Sequence, residues 1–211
     1  MEPSPRLEAF RQLFFQRLTR YEYRGVLGQG GMGVVFAAYD RDLDTELAIK
    51  VPTPSFEEKA PGVLARFKRE LLLSRKIKHP NVARLYDFGD CEGCPYVTME
   101  LIPGVSLRTL MEREPEMPVS RVLFLFRQIT KGCGAAHAEG ITHRDLKPEN
   151  VMVGEGDTVS ILDFGLARSE KSPNLTRHGE VLGTPNYMAP EVLRGGRALP
   201  SADVYSIGVM L

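Results

Sequence analysis

Residues 141–150, Ile-Thr-His-Arg-Asp-Leu-Lys-Pro-Glu-Asn, with Asp163-Phe164-Gly165 close behind, constrain this chain more than any other stretch. Carboxylates, a carboxamide, a lysine, an arginine and a histidine crowd into a segment bounded by apolar runs. Ile141 before it, and Val151-Met-Val and Val159-Ser-Ile-Leu162 after it, read as short strands, so the charged residues fall on turns at strand ends. A core rejects such a cluster, because unpaired buried charges are costly. A metal or phosphate site uses one. Asn150 and Asp163 offer hard oxygen ligands of the kind Mg²⁺ takes. Asp145 and Lys147 lie two residues apart, so in an extended loop both side chains point the same way. That arrangement suits a base beside a positive charge that stabilises a transferring phosphoryl group.

A second cluster lies upstream. Tyr21–Leu27 leads into Gly28-Gln-Gly30-Gly31-Met-Gly33, then Val34–Tyr39, a polar turn at 40–45, and Glu46–Val51: a strand, a glycine loop and two more strands. Glycines let a backbone fold tightly over phosphates with its N–H groups facing the anion. A dinucleotide-binding turn is the rival reading. It needs a helix after the glycines and an acidic residue about 20 positions on. Here β-branched and aromatic residues follow, and Thr53 stands near the acidic position. A plain glycine-rich hairpin is the structural alternative. Lys50 sits in an apolar run, aimed either at solvent or at a phosphate and a carboxylate. Glu70, on a helix read over 65–77 and ended by His79-Pro80, is a plausible partner.

Composition sets outer bounds. The 211 residues suffice for one large domain or two small lobes, with 43% hydrophobic and 26% charged residues as in ordinary globular proteins. Lys+Arg and Asp+Glu balance at 27 each, which gives no push toward nucleic acid or an anionic membrane. No apolar run approaches the roughly 20 residues of a membrane span, and Leu13-Phe14-Phe15 is too short for a signal peptide. Three cysteines fit a reducing cytoplasm. Cys91-Glu-Gly-Cys94, lacking a second pair of ligands, reads as a hairpin turn with ordinary thiols; a redox switch is the other reading.

The remaining chain falls into segments. Residues 1–20 form an N-terminal extension with apolar positions near helical spacing. They read as a short helix packed on the domain or a frayed tail, in preference to a membrane- or partner-docking helix. Strands are expected over 82–88 and 96–102, a hinge at Pro103-Gly104, and helices over 106–113 and 120–139, with His137 a structural histidine. Residues 166–182 are polar and aperiodic, and an apolar helix starts near Ala202.

With these residues in hand, the chain resembles the eukaryotic-type protein kinases, most of all the bacterial serine/threonine kinases of that superfamily, from about Tyr21 to its last residue. The resemblance rests on the glycine loop, Lys50, Glu70, residues 143–150, Asp163–Gly165 and Gly183-Thr-Pro-Asn-Tyr-Met-Ala-Pro-Glu191, in the family's order. It implies an α+β, bilobal fold. An N-lobe over 21–102 would hold an antiparallel sheet and one helix, and a mainly helical C-lobe, incomplete here, would run over 103–211. The implied activity is transfer of the ATP γ-phosphate to Ser/Thr hydroxyls of protein substrates. The alternative is a nucleotide-binding scaffold without turnover, because the resemblance implies a C-terminally truncated domain.

The resemblance also assigns residues. Leu27, Gly28, Gln29, Gly30, Gly31, Met32 and Gly33 cover the ATP phosphates. Val35 and Ala48 roof the adenine, Met152 floors it, Met99 is the gatekeeper, and Glu100 and Ile102 bind adenine through their backbones. Lys50 grips phosphates and pairs with Glu70. Asp145 orients the acceptor hydroxyl, Lys147 offsets γ-phosphate charge, Thr184 braces that pair, and Asn150 and Asp163 hold Mg²⁺. Arg144 receives a phosphate on Thr176 after autophosphorylation, for which a kinase–kinase dimer is the expected route. Asp203 holds the backbone of the catalytic loop. Ser74 stands where the family places an apolar or small residue, in a packed stack with Leu85, Phe164 and His143, and its hydroxyl is expected to weaken the active position of the helix. Glu149 could meet a basic residue of a substrate, but Ser106 replaces the usual second acid, so no basic preference is implied.

Overall fold

A computed structural model of the chain describes residues 5–30, 33–51, 72, 74–164 and 185–211. The chain divides into two compact units: Met1–Leu64 with Leu85–Leu101, and Ala65–Arg84 with Ile102–Leu211.

Among the described residues, the first unit is a five-stranded antiparallel sheet with one helix against it. β1 (Tyr21–Gly30), β2 (Gly33–Asp40), β3 (Thr45–Val51), β5 (Cys94–Glu100) and β4 (Leu85–Cys91) lie in that order. Alternation along β2 and β3 sends Phe36, Ala38, Leu47, Ile49 and Val51 to one face, where they are buried. That face cannot meet water, and α1 (Pro5–Arg17) covers it. Phe14 is 3% exposed and packs against Phe10, Phe36 and Tyr96, with ring centroids 5.5, 6.3 and 5.7 Å away. Replacing Phe14 with alanine should therefore cost about 3–5 kcal/mol of stability, measured by urea unfolding. A cost under about 1 kcal/mol would show that α1 only rests on the sheet.

Arg20, just past α1, ties this helix to the β2–β3 turn. Its Nε and Nη2 reach the two carboxylate oxygens of buried Asp40 at 2.9 and 2.6 Å. Asp40 Oδ1 also accepts from the Asp42 and Leu43 amides, at 3.0 and 3.4 Å. The Arg20 hydrogen bonds, more than the turn amides, hold the Asp40 carboxyl below its ordinary pKa of 3.8. A carboxyl lowered on folding stabilises the fold fully above its ordinary pKa, and that contribution disappears as pH falls through the folded value. Asp40→Asn should thus cost about 1–3 kcal/mol at neutral pH. The gap to the native chain should narrow as pH falls below the ordinary value of 3.8 in urea titrations.

Strands 4 and 5 begin and end differently from the sequence expectation. Val82 is not in β4; it belongs to the second unit, where it makes an isolated parallel bridge to Ile161. β5 stops at Glu100, so Ile102 lies beyond it. The Cys91–Cys94 turn is a two-residue hairpin with the cysteines paired in register, both of them free thiols. Burial pushes the Cys91 thiol up, which lowers its reactivity and weighs against a redox switch.

In the second unit, β6 (Val105–Ser106), β7 (Val151–Val153) and β8 (Val159–Ile161) form a small antiparallel sheet in that order. Gly104 approaches it so closely that a Cβ would sit 2.2 Å from the Val153 carbonyl oxygen, so this glycine is demanded by packing. Ser106 caps α2 (Leu107–Arg113), its hydroxyl accepting from the Thr109 amide at 3.1 Å. α3 (Val119–Ala138) buries Leu125, Phe126, Ile129, Cys133 and Ala136 at helical spacing in the unit's main core. It ends on Gly140 at φ 72°, with Gly140 N donating to His137 O and Ile141 N to Ala136 O. These bonds satisfy orphan carbonyls of the last turn. They also correct Ile141, which is no strand but the residue that closes the helix end. α4 (Pro190–Leu193) and α5 (Pro200–Met210) complete the described chain. No described helix is long and apolar enough to cross a membrane.

Candidate active site

The residues singled out above fall in both units. In the first unit, the sheet face opposite α1 gathers several of the residues expected to meet a nucleotide. Gly28 pairs with Val35, Val35 with Lys50, Ala48 with Met99, and Lys50 with Val97. Residues paired across antiparallel strands share a face, as do alternate residues along one strand. Gly28, Val35, Ala48, Lys50 and Met99 therefore lie on one side. Ala48 and Met99 are buried, and Val35 and Lys50 are half-buried. Leu27 is exposed in a bulge between Val26 and Gly28, Gln29 pairs with Val34, and Gly30 pairs with Gly33. Gly31, Met32 and Glu70 lie outside the described residues. Glu100 pairs with Leu47, so its side chain leaves on the other face and only its backbone is at the strand end for a ligand.

In the second unit the loop between α3 and β7 is organised by one buried carboxylate. Asp203, 1% exposed in the first turn of α5, accepts from the His143 amide at 2.8 Å and the Arg144 amide at 3.0 Å. His137 Nε2 lies 2.8 Å from the same carboxylate. These bonds hold Arg144 at φ 72°, a left-handed conformation an arginine rarely adopts. His143 is wholly buried. Its Nε2 donates to Leu162 O at 2.8 Å and its Nδ1 accepts from the Asp145 amide at 3.3 Å, which selects the Nε2–H tautomer. Its ring packs 4.8 Å from that of Phe164. Ser74 is buried there too, and its hydroxyl donates to Phe164 O at 2.7 Å.

On this scaffold the chemistry-bearing side chains meet. The Lys147 backbone is extended, and its Nζ reaches Asp145 Oδ2 at 2.8 Å, as the two-residue spacing predicts. Asn150 Nδ2 donates to Asp145 O at 2.8 Å, which fixes the amide and leaves its oxygen as the available ligand. Leu162 N donates to Asn150 O at 2.9 Å, so the backbone leading to Asp163 is bonded to the turn that carries Asn150. Asp163 itself sits at φ 61°. Among the described residues no three His, Cys, Asp or Glu side chains form a cage. Two hard oxygen donors fit Mg²⁺, which keeps waters and substrate phosphates in its shell and seldom takes an all-protein cage. Met152, on β7 opposite Ser106 and Ser160, is half-buried, as is Ile102. Thr176 and Thr184 lie outside the described residues.

One group carries no spacing signal and is absent from the expected set. Arg108 Nε donates to Glu149 Oε1 at 3.0 Å, and its Nη2 donates to the Tyr187 hydroxyl at 2.6 Å. These bonds join α2, the Pro148–Asn150 turn and the Pro185–Tyr187 turn.

Such an arrangement, an Asp–Lys pair with an asparagine and an aspartate near it on a loop clamped by a distant aspartate, is that of the protein kinase fold. The protein kinase domain family matches residues 21–211, and the chain belongs to it. Among its relatives is the serine/threonine-protein kinase PknD of Mycobacterium tuberculosis, 37% identical over 191 residues, which are 90% of this chain and 29% of PknD. The serine/threonine-protein kinase pkn3 of Myxococcus xanthus is 38% identical over 201 residues, 91% of this chain and 37% of that one. A crystal structure of the Mycobacterium tuberculosis PknI kinase domain is similar in fold, with a TM-score of 0.71 at 26% identity. That match covers 89% of this chain and 70% of the other. The chain thus spans only 29–37% of these two curated relatives. α1 precedes the part matched to the family.

Proposed function

We propose that this chain transfers the γ-phosphoryl group of ATP to serine or threonine hydroxyls of protein substrates. The observation that carries the reading is the 2.8 Å Lys147–Asp145 pair on a loop whose backbone is anchored by Asp203. Asp145 accepts a hydrogen bond from the acceptor hydroxyl, orients it and takes its proton as the bond to the γ-phosphorus forms and the bond from that phosphorus to the β–γ bridging oxygen breaks, with ADP as the leaving group. Lys147, already beside Asp145, offsets charge on the transferring group. Phosphoryl transfer needs little else from a protein than positioning and charge stabilisation. Gly28, Gly30 and Gly33 bring backbone N–H groups to the phosphates. Val35, Ala48, Met99 and Met152 contact adenine, with the Glu100 and Ile102 backbones as its hydrogen-bond partners. Lys50, paired with Glu70, binds phosphate oxygens. Asn150 and Asp163 would hold Mg²⁺, which neutralises phosphate charge when bound.

Regulation in this reading runs through Arg144 and Thr176. Phosphorylation of Thr176, by a second copy in a transient dimer, gives Arg144 an anionic partner next to Asp145. An ATP-dependent reaction and three free thiols suit the cytoplasm.

A transfer assay with radiolabelled ATP and Mg²⁺ on a mixed serine/threonine peptide pool tests the activity, with Asp163→Asn as control. Label incorporated above the control supports the kinase. Nucleotide binding with incorporation no greater than the control would leave a nucleotide-binding scaffold instead.

A further inference from the structure

Arg108 occupies a position that its own helix disfavours. It is the second residue of α2, where the positive end of the helix dipole repels a cation, and no acidic residue in that first turn offsets it. Its place is set by the groups it meets elsewhere. Glu149 stands in the Pro148–Asn150 turn between Lys147 and Asn150, both of which bond to Asp145. Unlike them, Glu149 turns outward, 41% exposed, and its carboxylate is taken by Arg108 at 3.0 Å. The second guanidinium contact, to Tyr187, has the cation 5.9 Å from the ring centroid as well as 2.6 Å from the hydroxyl. Tyr187 is held in turn by Ser206, whose hydroxyl donates to Tyr187 O at 2.7 Å. The guanidinium is therefore braced on two sides, on a side chain that is one-third exposed beside the catalytic loop.

We propose that Arg108 is a specificity-determining residue: by holding Glu149 it closes that carboxylate to basic side chains of the acceptor protein and offers its own guanidinium to acidic ones. This rests on the kinase reading above. A lysine or arginine near the acceptor hydroxyl would have to displace Arg108 from Glu149 and then lie against a like charge. An aspartate or glutamate would join an existing pair and make a three-member network. Like-charge juxtaposition acts on partner choice more than on overall affinity. A braced arginine loses little freedom on taking a further carboxylate.

The test is a ratio. Peptides with one central serine or threonine in a neutral background carry a single Arg or a single Glu at each of the four positions on either side. The native chain should have kcat/KM for the Glu peptide at least equal to that for the Arg peptide at every position. Arg108→Leu, which keeps an apolar stem against Tyr187, should shift the ratio about 10-fold toward Arg peptides at one or two positions. Adding Glu149→Gln to Arg108→Leu should abolish that shift. Glu149→Gln alone leaves the arginine in place and should move the ratio toward Glu peptides, which keeps the idea testable if Arg108→Leu folds poorly. Ratios that stay within about 2-fold in both single variants, while the neutral peptide is still phosphorylated, would overturn the proposal. Failure of the native chain to phosphorylate even the neutral peptide above the Asp163→Asn control would sink the kinase reading, and this proposal with it.

Discussion

Asp145→Asn should lower the rate of phosphoryl transfer by about 10²–10⁴-fold, the range a positioned general base supplies, while the chain remains folded. Every backbone bond of residue 145 survives the substitution: its amide still donates to His143 Nδ1, and its carbonyl still accepts from Asn150 Nδ2. What is lost is the carboxylate and with it the charge-assisted bond from Lys147 Nζ at 2.8 Å. The effect should therefore fall on kcat, with little change in the KM for ATP, because an interaction made only in the transition state is removed. Lys147→Ala should act on the same unit. Its combination with Asp145→Asn should be no slower than Asp145→Asn alone, within about 3-fold, as expected for residues that act together. Additive losses in the double variant would mean that the pair does not share one role. A rate for Asp145→Asn within about 5-fold of the native chain would mean that the base is elsewhere.

Much of this site was legible because short-range geometry settled it. The Lys147–Asp145 contact follows from a period of two in an extended segment, and the common face of Val35, Ala48, Lys50 and Met99 follows from alternation along paired strands. The paired Cys91 and Cys94 follow from a Glu-Gly turn between two apolar runs. The errors came where tertiary context overrode local pattern. Ile141 has strand-like chemistry, but Gly140 makes it the closing residue of α3. Val82 resembles its neighbours in β4, yet its backbone belongs to the second unit through Ile161. Arg108 could not be read at all, since its partners lie 41 and 79 residues away. Nor could the covering of the sheet by α1 be derived. The extension's apolar spacing gives a helix face, but not which surface receives it. Asp203 stands between these cases. Its function was carried by resemblance, while its three partners at 2.8–3.0 Å are visible only in the fold.

Those three partners make Asp203→Ala the other substitution with a large expected effect, and it acts without touching any reacting group. The alanine leaves the amides of His143 and Arg144 and the ring of His137 without their acceptor in a place almost closed to water. Breaking a buried charged network in this way costs about 3–5 kcal/mol. The same loss frees Arg144 from the φ of 72° that Asp203 imposes, and with it the start of the loop that aims Asp145. A displacement of about 1 Å at a reacting group is enough for a 10²-fold loss of rate. Asp203→Asn separates charge from shape. The amide fits the space, but its NH₂ end must face an N–H donor, so only one of the two backbone bonds can persist. Its stability and rate should fall between those of the native chain and Asp203→Ala. Amide exchange at residues 143 and 144 reports the anchor directly and should accelerate in both variants, more in the alanine one. Unchanged exchange at those amides, together with transfer within about 3-fold of native, would show that the loop holds its shape without Asp203.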